Sequence, residues 1–197
     1  MNMQTLVGGD LYTNCYLIWG DASDTCALID PGFDPEKIME RVRATGKQLE
    51  AILLTHTHFD HVFGVKKLVE MTGCKVYVHK AELEINHRYP SGDICATDFY
   101  DEDDTVTVAG LSLQVLHTPG HTVGGVCLLV EDTMFSGDTL FAGTCGRTDL
   151  ASGNPAQMRQ SLARLAALEG NYKVFPGHGE STDLNFERQL NPYMYSL

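Results

Sequence analysis

The chain has 197 residues, with 14 Lys and Arg against 26 Asp and Glu for a formal net charge of −12, and 43% of its residues are hydrophobic. Length and composition suit a single globular domain over residues 1–197 and exclude a disordered, collagenous or coiled-coil chain. The acidic balance repels phosphate backbones and argues against a nucleic-acid partner.

The first ten residues lack the basic and apolar regions of a secretory signal, and no apolar run approaches the roughly 20 residues that span a bilayer, so no membrane partner is expected. Cys15, Cys26, Cys74, Cys95, Cys127 and Cys145 are scattered without a CxxC pair. They read as reduced thiols of a cytoplasmic protein.

Short apolar runs at 14–19 and 25–30, bounded by Gly, Pro and Asp, predict buried strands. Asp34 then caps a helix opened by Pro35, with Ile38, Met39 and Val42 on one face and Gly46 as its stop. Residues 51–54 predict a third strand, 62–72 a helix with Val65, Leu68 and Val69 at helical spacing, and 75–78 a fourth strand. Residues 89–104, with Pro, Ser, Gly and the run Asp101-Glu102-Asp103-Asp104, read as an exposed loop whose charges are solvated. Period-two alternation predicts strands at 105–108 and 111–115, and apolar runs add 125–130 and 133–136. A helix over 155–168 with Met158, Leu162, Leu165 and Ala166 on one face, a strand at 173–175 and a short helix over 184–190 complete the chain. Grouped strands separated by helices point to two sheets with helices outside.

The segment Thr55-His56-Thr57-His58-Phe59-Asp60-His61 follows directly on the strand at 51–54. His56 and His58, two apart on a strand extension, project to one side, while Asp60 and His61 sit in the turn that enters the helix. Capping by Asp60 would not call for three histidines. Imidazole and carboxylate without thiolate suit borderline divalent cations such as zinc, iron or manganese. Three more loops follow strands with Gly just before the polar residue: Pro119-Gly120-His121, Ser136-Gly137-Asp138 and Pro176-Gly177-His178. Glycine there permits tight turns and close approach of backbone to a site.

Taken together, THTHFDH, HTPGHT, SGDTLF and FPGHG resemble the metallo-β-lactamase-fold hydrolases, and within them the small single-domain bacterial hydroxyacylglutathione hydrolases of the glyoxalase-II-like branch. The matches run in order from Asn14-Cys15-Tyr16-Leu17 through Leu28-Ile29-Asp30-Pro31-Gly32 to Asn191-Pro192. The resemblance implies an α/β, four-layer αββα sandwich of two mixed β-sheets flanked by helices, with metals at one edge of the sheets. It also implies that His56, His58 and His121 hold one ion, that Asp60, His61 and His178 hold a second, and that Asp138 bridges them. Seven ligands are too many for one tetrahedral ion and fill two sites. The cofactors implied are two divalent ions, zinc in the first place, with iron and manganese suited to the same donors.

The activity implied is hydrolysis of a small hydroxyacylglutathione-like thioester by metal-bound hydroxide, with Asp60 and Asp138 fixing the ions and orienting the nucleophile. Arg147 stands where glyoxalase II has a basic residue that binds a glutathione carboxylate, so it is a candidate substrate contact; an ion pair with a loop carboxylate is its other reading. Asp149 replaces the aromatic residue of those enzymes. Only a short tail follows His178, so no C-terminal glyoxalase II helical domain is expected, and a lactone or other ester is a further substrate class. The segment 144–149 also resembles the persulfide dioxygenases of the same fold, which would use a single iron on His56, His121 and Asp138. The loop Pro176-Gly177-His178-Gly179-Glu180 resembles the hydrolases instead. Cys145 reads as a buried neutral thiol, His117 as a supporting or surface group, and His79 and His87 as structural.

Overall fold

The computed structural model describes residues 1–85 and 93–194. Strands β1 (Asn2–Gly8), β2 (Thr13–Trp19), β3 (Thr25–Ile29), β4 (Gln48–Leu53), β5 (Lys75–His79) and β6 (Asp98–Tyr100) form one six-stranded sheet in chain order. Its first pairings, β1 with β2 and β2 with β3, are antiparallel, and the remaining ones are parallel. Strands β7 (Thr105–Val108), β8 (Leu111–His117), β9 (Val126–Val130), β10 (Thr133–Gly137), β13 (Lys173–Pro176) and β14 (Thr182–Asp183) form the second, in the order β14-β13-β10-β9-β8-β7. Between β10 and β13 in the chain, β11 (Leu140–Phe141) and β12 (Thr144–Cys145) make a small hairpin.

The strands are apolar on both faces because both faces are covered. On β2, Tyr16 and Ile18 face the second sheet with Val115, Leu128 and Phe135, while Cys15 and Leu17 face the other way. That outer face packs on α1 (Pro35–Ala44) and α3 (Val65–Thr72) through Ile38, Val42, Val65 and Leu68. The second sheet turns Cys127, Leu129 and Met134 to α4 (Pro155–Ala166) and α5 (Leu184–Leu190), which answer with Met158, Leu162, Leu165 and Leu184. The layers are therefore αββα, as the resemblance implies.

Three local expectations are corrected. The helix expected over 62–72 is two pieces, α2 (Phe59–Val62) and α3, broken at Gly64, whose amide donates to the Pro31 carbonyl. A Cβ there would lie 2.7 Å from that carbonyl oxygen, so the contact that seats the metal-motif loop also interrupts the helix. The loop expected over 89–104 contains β6; residues 86–92, with His87, lie outside the described residues. Only three residues long and beside an acidic run, β6 pairs with β5 and anchors through Tyr100, whose hydroxyl donates to the Leu54 carbonyl. Glu102 is not merely solvated: Arg164 donates to its carboxylate, as does the His117 amide. Strand β1 was not expected, because as a half-exposed edge strand it lacks the alternation that marks a core-facing one.

Candidate metal centre

The ligand-bearing loops leave the strands at one edge of the sandwich. His56, His58, Asp60 and His61 follow β4, His121 lies between β8 and β9, Asp138 follows β10, and His178 follows β13. All seven converge. His56, His58 and His121 bring one nitrogen each within 4.8 Å of one another, and Asp60, His61 and His178 do the same with a carboxylate oxygen and two nitrogens. Asp138 lies between the two groups. Its Oδ2 is 3.4 Å from His121 Nε2 and 3.6 Å from His178 Nε2, and its Oδ1 is 3.5 Å from His61 Nε2.

Hydrogen bonds on the outward nitrogens decide which atoms face the centre. His121 Nδ1 donates to the Arg147 carbonyl at 2.7 Å, and His178 Nδ1 donates to the Leu11 carbonyl at 3.0 Å. His61 Nδ1 donates to Asp30 Oδ2 at 3.0 Å. Thr55 spends its hydroxyl proton on Asp30 Oδ2, so its oxygen accepts from His56 Nδ1. With the outward nitrogen of each ring so engaged, four Nε2 atoms face inward, and in the neutral rings their lone pairs point at the centre, the arrangement that ligating imidazoles adopt. His58 instead turns Nδ1 inward, 2.8 Å from His121 Nε2.

Among the described residues three buried side-chain polar atoms have no hydrogen-bond partner, and two of them, His56 Nε2 and Asp138 Oδ1, belong to this centre. Leaving such atoms unpaired costs on the order of 1–3 kcal/mol each, which a cation between them would relieve. The donor set of imidazoles and carboxylates fits divalent cations of the borderline class. The electrostatics point the same way. Burial and the surrounding imidazoles, His61 first among them, drive His56 well below its ordinary value. Against its own burial, His61 is pushed up to about 9 by the Asp138 charge and by Asp30. Asp60 is buried too, yet the hydrogen bond from His178 and the charge of His61 hold it below the carboxylate range. The centre is a place that attracts positive charge.

Several supports escape the sequence pattern. Asp30, at the end of β3, accepts from the Thr55 amide and hydroxyl and from His61, and so sets two of the rings. It forms a close trio with His56 and His61, but these bonds occupy it as an orienting group. Glu82, 3% exposed, accepts from the amide and hydroxyl of Thr57 and from the Gly124 amide. Thr13 donates to Asp60 Oδ2. Asn14 and Tyr16 of β2 donate to the Pro176 carbonyl, clamping the His178 loop to the first sheet. The only sequence signal for Asp30 was its place in Leu28-Ile29-Asp30-Pro31-Gly32; Glu82 had none.

Arg147 lines the cavity of about 570 Å³ that opens over the centre, but its guanidinium is paired with Asp149 through Nε and Nη2 at 2.7 and 2.8 Å. Cys145 is half-buried rather than fully buried, and burial pushes its thiol up, so it is neutral. His79 and His117 stack on each other at 4.4 Å between ring centroids, apart from the seven donors.

The sequence profile described as the metallo-beta-lactamase superfamily matches residues 8–178. A hydroxyacylglutathione hydrolase of Pseudomonas entomophila is 39% identical over 183 residues, covering 90% of this chain and 66% of that enzyme. An uncharacterized protein of Mycobacterium tuberculosis is 33% identical over 214 residues, with 96% of each chain covered. Among solved structures, TTHA1623 in a di-iron-bound form superposes with a TM-score of 0.85 at 36% identity, over 97% of this chain and all of that one. ETHE1 from Myxococcus xanthus superposes with a TM-score of 0.84 at 31% identity, over 98% of this chain and 84% of that one.

Proposed function

The chain belongs to the metallo-beta-lactamase superfamily, and from that premise we propose that it is a metal-dependent hydrolase that cleaves a small acyl thioester with two divalent ions, zinc in the first place. One observation carries the reading: two three-donor groups flank Asp138, and His56 Nε2 and Asp138 Oδ1 are buried there without hydrogen-bond partners. His56, His58 and His121 would hold one ion, Asp60, His61 and His178 the other, and Asp138 both. Bound there, the ions would supply Lewis acidity and make a coordinated water acidic enough to lose a proton near neutral pH.

The chain's own groups do the positioning. Asp30 and the Arg147 and Leu11 carbonyls fix ring orientation, and Asp60 and Asp138 set the charge of the centre. No protein nucleophile is needed, and Cys145, with its thiol pushed up, is poorly suited to be one. A single-iron arrangement on His56, His121 and Asp138 would leave Asp60, His61 and His178 assembled without a task, which favours the hydrolase over the dioxygenase reading. The similarity to hydroxyacylglutathione hydrolases supports a thioester as substrate. No helix among the described residues is long and apolar enough to cross a membrane, and the six free thiols suit the reducing cytoplasm in which we place the enzyme.

The test is metal analysis together with cleavage of S-lactoylglutathione and of the uncharged S-lactoyl-N-acetylcysteamine under anaerobic conditions, either of which counts as thioester cleavage. Two ions per chain with thioester cleavage are expected, and Asp138→Ala should lower both metal content and turnover. Oxygen uptake with glutathione persulfide, without thioester cleavage, would overturn the reading.

A further inference from the structure

The cavity over the metal centre has walls that do not belong to the ligand set. Leu11, Phe59, Phe141, Leu150 and Ala151 line it. Leu11 is 51% and Phe59 38% exposed, and large apolar side chains gathered at the mouth of a cleft mark a surface that receives an apolar partner. Among the described residues that line the cavity, Arg147 is the only side chain with a permanent positive charge.

That charge is already paired, at an exposed rim where the two side chains are 61% and 67% accessible. Both arms of the guanidinium fork engage the two Asp149 oxygens, the geometry in which a carboxylate is bound bidentately. The main chain at 147 cannot swing away freely, because its carbonyl accepts the His121 Nδ1 proton. Arg147 in turn holds Asp149 ionised down to about pH 2. An incoming carboxylate would therefore exchange one carboxylate for another and leave the displaced Asp149 repelling it. An uncharged or apolar group meets no such opposition and covers the apolar wall.

We infer that the site takes acyl thioesters whose acyl chain and thiol carrier are apolar or uncharged, and that Asp149 determines this specificity by occupying Arg147 against carboxylate-bearing thiols. The bond cleaved rests on the hydrolase reading above: water oxygen joins the acyl carbon, the carbon–sulfur bond breaks, and the thiolate leaves and takes up a proton. The recognition itself rests on the cavity.

Two measurements test it on the metal-loaded protein. Calorimetry compares the non-cleavable thioethers S-hexyl-N-acetylcysteamine, which is neutral, and S-hexylglutathione, which carries two carboxylates. The wild type should bind the neutral one more tightly. Asp149→Asn should shift the ratio at least about five-fold toward the glutathione compound, and adding Arg147→Ala should cancel that shift. Across propanoyl to octanoyl thioesters of N-acetylcysteamine, kcat/KM should rise about three-fold per methylene as apolar surface is buried. Tighter glutathione binding by the wild type, a flat chain-length series, or an Asp149→Asn variant that weakens S-hexylglutathione would overturn the inference and leave the hydrolase reading standing. The expected binding preference without cleavage of any thioester would overturn the hydrolase reading and leave the recognition standing.

Discussion

Glu82 offers the sharpest check on how the first ligand group is built. Its Oε2 accepts from the Thr57 amide and hydroxyl, and its Oε1 accepts from the Gly124 amide, all at 2.8 Å. Thr57 lies between His56 and His58, and Gly124 lies shortly after His121, so one buried carboxylate ties together the two loops that must meet. Glu82→Gln is nearly isosteric. Its amide oxygen can keep the Thr57 bonds, but the amide nitrogen then faces the Gly124 N–H, donor against donor. A charged-acceptor bond of about 1.5–3 kcal/mol is lost and one buried donor is left unpaired at about 1–3 kcal/mol, for a total of roughly 2.5–6 kcal/mol. For a domain of about 200 residues, at about 2–4 °C per kcal/mol, the melting temperature should fall by roughly 5–24 °C. Metal affinity should weaken about ten-fold at the His56, His58 and His121 group and little at the other, since displaced supports typically cost ten-fold or more. Calorimetric melting and competition with a chelator of known affinity read both quantities. A melting temperature within about 2 °C of wild type, with both ions retained, would refute the claim that Glu82 holds the loops in register.

Other perturbations follow from the same geometry. Gly177→Ala would place a Cβ 2.2 Å from Asp138 Oδ1 and 2.6 Å from His61 Cε1, so metal analysis should show less than half the wild-type content while circular dichroism remains folded. Full metal content would show that Gly177 does not pack so closely on Asp138 and His61. Glu102 is held down to about 2, chiefly by its hydrogen bonds from Arg164, against an ordinary value of 4.5. Its contribution to stability is therefore fully present above about pH 4.5 and is lost as pH falls through 2, with a small size because both side chains are about a third exposed and screened. Urea unfolding of metal-free wild type and Glu102→Gln should give a gap at pH 6 that closes toward pH 2, and a gap unchanged at pH 2 would contradict the pairing.

Four of the seven donors were legible because their chemistry is written locally, and His121, Asp138 and His178 became so through the family resemblance of the loops that carry them. Three histidines and an aspartate crowd one segment after a strand, and the other three donors each follow a glycine that lets backbone approach the centre. The layers were legible for a similar reason, since strands apolar on both faces require cover on both. The supports were not. A lone Glu in Lys80-Ala81-Glu82-Leu83-Glu84 looks like any solvated charge, and its partners lie 25 and 42 residues away along the chain. Asp30 reads as a strand-end residue before Pro31, and its grip on Thr55 and His61 exists only once β3 and β4 lie side by side.

Arg147 shows a third kind of limit, in which one residue serves through two different groups. Its side chain is paired with Asp149, while its carbonyl anchors His121. A carbonyl is present whatever side chain occupies the position, so sequence pattern does not record this second role, and the same holds for the Leu11 carbonyl behind His178. The physical consequence is a separation of functions. Replacing the Arg147 side chain removes the charge at the cavity mouth but retains the hydrogen bond that orients a ligand ring. Substitutions at 147 and 149 therefore alter what the cavity admits, whereas substitutions at Asp30 or Glu82 alter how firmly the ligand groups are held.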